Sequence, residues 1–77
     1  MKTYELPYGL VIETQNNGVG TVKESCKQGG ENPELNAALD GVEAIMLALA
    51  CAGVDIDNEP VHNAFVTAVD AIENNLG

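Results

Sequence analysis

Seventy-seven residues with two cysteines and a formal net charge of -9 allow one domain with a small core. They exclude a disulfide-dense scaffold and disfavour direct nucleic-acid binding, because no basic surface is present to displace counterions from phosphates. A membrane role is equally unsupported: the apolar run at residues 44–52 is too short to span, and helical faces without lysine do not suit an anionic lipid surface.

Residues 3–14 are extended in character. Tyr4, Leu6 and Tyr8 alternate with Glu5 and Pro7, and Leu10 and Ile12 keep the same parity. Pro7 lacks a backbone donor and belongs on an edge or at a bend, while Gly9 suits a bulge. Either residues 4–6 form a short third strand, or residues 3–14 form one long strand broken by a bulge. Asn17-Gly18 suits the tight turn of a hairpin. A return strand follows over about residues 19–25, with its mixed pattern pointing to a bulge near Gly20. Such a hairpin is marginal alone, so its apolar side is expected to lie on helices. Tyr4 and Tyr8 are expected to pack there, or to form an exposed aromatic patch. The start of the chain has no apolar signal core, which predicts an intracellular, cytoplasmic protein with free thiols.

Lys27-Gln28-Gly29-Gly30 reads as a flexible connection. It is not a phosphate loop, since no lysine and hydroxyl pair opens the following helix. Beyond Lys27 the composition changes. Residues 1–27 carry three acids and three lysines, whereas residues 28–77 carry nine acids and no lysine or arginine. The whole net charge therefore belongs to the later segment.

Asn32 is a natural N-cap, Pro33 fills the first helical position, and Glu34 complements the helix dipole. Leu35, Leu39, Val42, Met46 and Leu49 recur at helical spacing, with Ala38 and Ile45 alongside, and Gly53 ends the helix. Asp40 and Glu43 mark its wetter side. Ala37, Gly41, Ala44 and Ala48 form a small-residue face suited to a close helix crossing. A second helix is capped by Asp57 or Asn58 and carries Val61, Phe65, Ala68, Val69, Ile72 and Leu76 as its stripe. The short link makes the helices antiparallel neighbours. The expected fold is one α+β domain spanning residues 1–77. Its parts are a β-hairpin over about 3–25, a helix over about 33–52 and a helix over about 58–76.

Sites for chemistry are weakly supported. Asp55, Asp57 and Glu59 are spaced like the opening of a calcium loop, yet Pro60 and Val66 stand where that loop needs glycine and glutamate. They are weak metal candidates at most. His62 has no helix-spaced histidine partner, and neither Cys26 nor Cys51 belongs to a CxxC pair. Cys26, in the connection, is the more reactive thiol on this reading, and Cys51 a small packing residue. No cofactor and no catalysis are expected.

Glu31, Glu34, Asp40, Glu43, Asp70 and Glu73 carry the functional reading. Carboxylates spread over a helical layer suit a basic protein partner, which makes the chain a small non-enzymatic regulator or adaptor. Three alternatives stand beside it. One is a nucleic-acid mimic that blocks a DNA- or RNA-binding protein. Another is a structural homodimer with Met46, Leu49 or Phe65 at its seam. The last and weakest is a small metal-dependent enzyme. Acidity also serves plain solubility.

Overall fold

The structure, a computed structural model, describes residues 1–15, 18–26 and 30–77. Asn17 of the expected turn and most of the 27–30 connection lie outside the described residues. Three short strands, β1 (Lys2–Glu5), β2 (Val11–Thr14) and β3 (Gly20–Glu24), precede two helices, α1 (Pro33–Cys51) and α2 (Glu59–Leu76). The strands form one antiparallel sheet in the order β1-β2-β3. The α+β architecture is therefore as expected, and of the two readings of residues 3–14 the three-strand one holds.

A 3-10 turn at Pro7–Gly9 separates β1 from β2, closed by the Leu6 N–H donating to the Leu10 carbonyl at 2.8 Å. Tyr8 (φ 62°, ψ 19°) and Gly9 (φ 81°) are both left-handed there. That turn breaks the parity read from the sequence. Tyr4 points into the core, whereas Tyr8 is more than one-third exposed. A tyrosine in this backbone region is strained and persists only when its surroundings hold it. Two contacts do so: its ring lies 6.3 Å from that of Phe65, and its hydroxyl donates to Asp70 Oδ1 at 2.6 Å.

The bulge sits elsewhere than expected. Ile12 pairs with Val22 and Val11 with Glu24, leaving Lys23 as the extra residue. Gly20 is regularly paired with Thr14, and its glycine serves a different need. A Cβ at this position would fall 2.9 Å from Cys51 Sγ and from the Glu13 carbonyl, and 3.1 Å from Leu47 Cδ1. Absence of a side chain lets β3 approach α1 closely.

Both helices begin on asparagine caps. The Asn32 side-chain oxygen accepts from the Leu35 N–H at 3.1 Å, and that of Asn58 from the Val61 N–H at 3.0 Å. Of the two cap candidates for α2, Asn58 is the one used. α1 ends in a Schellman arrangement. Gly53 is left-handed at φ 92°, its N–H reaches the Ala50 carbonyl, and the Val54 N–H reaches that of Leu49. At the far end of the pair, the Asn32 amide donates to the Leu76 carbonyl at 2.8 Å. The start of α1 thus lies beside the end of α2, while residues 52–58 join the other ends, so the helices run antiparallel.

The core lies between the sheet and this pair. Leu10 and Ile12 from the sheet side meet Leu39 of α1 and Phe65 and Val69 of α2, all essentially inaccessible to solvent. Ile56, from the link, is equally buried and fills the same core. Each such side chain contributes about 1.5–3 kcal/mol on burial. Ala37, Gly41, Ala44 and Ala48 do not make the expected close crossing. All are exposed, and a Cβ at Gly41 would meet nothing within 4 Å. The helix turns its bulkier stripe to both the sheet and α2, leaving the small residues outside.

Candidate functional site

Two features outside the core can carry function: the carboxylates of the helices and a groove between those helices. Glu31, Glu34 and Asp40 are exposed at the first half of α1 or just before it. Asp70 is exposed on the second half of α2, and Glu73, one turn on, is half-buried. The Asn32 to Leu76 bond brings the end that carries Glu31 and Glu34 beside the end that follows Asp70 and Glu73, while Asp55, Asp57 and Glu59 stand at the opposite end of the helical pair.

Glu43 departs from the expected wetter side. It is 4% exposed, and its carboxylate is held by the polypeptide that leaves β3. Ser25 Oγ donates to it, 2.5 and 2.9 Å from its two oxygens, and the Cys26 N–H donates to Oε1 at 3.3 Å. The charge is buried because local donors satisfy it. Glu43 therefore fastens the β3 exit onto α1, and the acidic surface is the poorer by one residue.

Cys26, read as the more reactive thiol, is 1% exposed. Burial pushes its thiol up to about 11, with Glu43, Asp40 and Glu73 adding to the effect. The thiolate is what reacts, so this site is the inert one. Cys51 is half-buried and packs against Gly20. Both thiols are unpaired.

The acidic link is occupied by structural bonds. Asp55 Oδ1 accepts the Asp57 N–H at 3.1 Å, and the Asp55 carbonyl accepts from the Asn58 amide. Lys2 Nζ stands 3.9 Å from Asp55 Oδ1 and 4.8 Å over the Tyr4 ring. The Tyr4 side chain, and then Asp55, hold that ammonium above its usual pKa. His62, half-buried on the first turn of α2, has Nε2 3.6 Å from Asp57 Oδ1. Among the described residues, no group of three or more His, Cys, Asp or Glu side chains is arranged to hold a metal ion. No helix is long and apolar enough among them to cross a membrane.

The groove was only partly legible in the sequence. Val42, Ile45, Met46 and Leu49 of α1 form one wall. Val61, Ala64, Phe65 and Ala68 of α2 form the other, with Pro60 at its end. These enclose about 360 Å³. Met46 and Phe65, two candidates for a dimer seam, are buried in the core and form the floor, while Leu49 is half-buried on the wall. Ile45, expected beside the core stripe, is 61% exposed at the rim. None of the nine lining residues is charged.

Compared with protein-family models, with curated proteins and with solved structures, the chain finds no match in any of the three.

Proposed function

We propose that this chain is a small, non-catalytic regulator or adaptor that binds a basic protein partner through its helical pair. The observation that carries the reading is charge placement. Every aspartate, glutamate, lysine or arginine on either helix is acidic. Glu31, Glu34, Asp70 and Glu73 belong to the end where α1 starts and α2 finishes. A field of one sign steers a partner of the opposite sign and suppresses like-charged ones. The reactive candidates support a binding role over a catalytic one. Cys26 is buried with a raised thiol, and Ser25 is engaged by Glu43. Two unpaired thiols suit a reducing, cytoplasmic setting.

The test is co-purification with the intact chain at low and moderate salt, run beside the double variant Glu31→Gln with Glu34→Gln. Both side chains are exposed, so the fold tolerates the change. A basic protein retained at low salt, released at moderate salt and lost with the variant is the expected result. Absence of any salt-sensitive basic partner sinks the reading. Competition between that partner's nucleic acid and this chain would assign the acids to mimicry instead.

A further inference from the structure

The groove between α1 and α2 has the form of a seat for one more helix. Its walls are drawn from residues 42, 45, 46 and 49 and from residues 61, 64, 65 and 68. Each wall follows the i, i+3, i+4, i+7 spacing by which one helix receives the knobs of another. The β-sheet does not fill it, for the sheet meets α1 at Leu47 and Cys51 through Gly20. The turn between β1 and β2 meets α2 near Phe65 and Asp70 through Tyr8. Ile45, Pro60 and Ala64 are left exposed at the groove.

We propose that this groove receives a single amphipathic helix of the partner, with an apolar stripe along one side and lysine or arginine on its flanks. The proposal rests on the reading of the chain as a module for a basic protein and names how that protein is held. Charge decides between occupants. The groove itself is uncharged, so an apolar stripe enters without stranding an ion. Exposed Glu59 stands next to Pro60 at the end of the groove, and neither helix carries a lysine or arginine, which favours basic flanks. A second copy of this chain would bring another -9 to the same place.

The probe is a fluorescein-labelled peptide about five helical turns long, built only of leucine and lysine, with leucine recurring at i, i+3, i+4 and i+7. A permuted peptide of identical composition lacks the stripe. Fluorescence anisotropy with the full chain is expected to give at least about tenfold tighter binding to the patterned peptide. Ile45→Ser and Ala64→Gln are each expected to weaken it by about tenfold, with thermal unfolding unchanged because both side chains are exposed. Equal, salt-sensitive binding of patterned and permuted peptides overturns the groove while leaving the acidic module standing. No binding of either at low salt overturns both. A patterned peptide with glutamate for lysine that binds equally well removes the charge argument and the proposal with it. A doubled mass for the free chain that Ala64→Gln halves would show a second copy in the groove, and also overturns it.

Discussion

Ser25 and Glu43 form a polar clasp between the end of β3 and α1. The Ser25 hydroxyl lies 2.5 and 2.9 Å from the two carboxylate oxygens of Glu43, and the Cys26 N–H completes the site at 3.3 Å. A carboxylate this deep is held in place by its donors, and cutting it away removes the acceptor of the buried Cys26 N–H.

Glu43→Ala is therefore expected to lower the stability of the chain by about 1–3 kcal/mol. Urea unfolding followed by circular dichroism measures it. Glu43→Gln, which keeps one acceptor oxygen, is expected to fall between the two. An alanine variant as stable as the parent would mean that the buried contacts carry no net weight.

The thiols differ in a directly measurable way. Cys26 is 1% exposed and its thiol is raised from 9.0 to about 11, chiefly by burial. Iodoacetamide at mildly alkaline pH should label Cys51 well before Cys26, as read by peptide mass spectrometry. The sign of the linkage follows from the raised value. The neutral thiol is favoured in the fold, so its contribution is fully present below the unfolded value near 9 and is lost as pH climbs through about 11. Preferential labelling of Cys26 would contradict the burial.

Tyr8 supplies a second alkaline signature. Its hydroxyl is raised above the ordinary 10.0, first by the hydrogen bond to Asp70 and then by desolvation and neighbouring carboxylates. Subtracting the ultraviolet titration of Tyr8→Phe from that of the parent should leave one tyrosine with a midpoint above 10.0. Protonated Tyr8 is the form that bonds Asp70. Its stabilisation is thus present below the unfolded pKa and fades as pH rises through the folded one. The parent and Tyr8→Phe should converge in melting temperature at high pH. A midpoint at or below 10.0 would mean the bond does not form in solution.

Glycine substitutions separate contact from conformational freedom. Gly20→Ala drives a methyl into backbone and side-chain atoms 2.9 Å away, with an expected loss of about 1–3 kcal/mol. Gly41→Ala adds the same methyl on the open side of α1, with an expected gain of about 0.5–1 kcal/mol from helix propensity. Thermal melts of the two variants should move in opposite directions, and a shared direction would refute the assigned environments.

Much of the fold was readable because local signals agreed. Asn32, Pro33, Glu34 and Gly53 all point to the same helix, and its Leu35, Leu39 and Met46 stripe is the buried one. Residues whose place depends on distant chain were harder to read. Glu43 looks like surface because its partners, Ser25 and Cys26, are far away in sequence. Ile56 sits between two aspartates in a link and gives no periodic signal, yet it is buried in the core. Tyr8 left its strand parity because a left-handed turn intervenes, and Pro7 and Gly9 were the only hints of it. The groove was foreshadowed by Met46, Leu49 and Phe65, but its open rim required the arrangement of both helices to be known.

The bulge at Lys23 has a consequence for how these molecules meet in a crowded solution. The sheet has two outer strands, and both make poor templates. β1 is four residues long and is followed at once by Pro7, while β3 is kinked where Lys23 and Glu24 stand. Strand rims that are brief, bent and charged resist the lateral zippering that seeds fibrils. Edge-to-edge pairing through the β layer is discouraged by this construction.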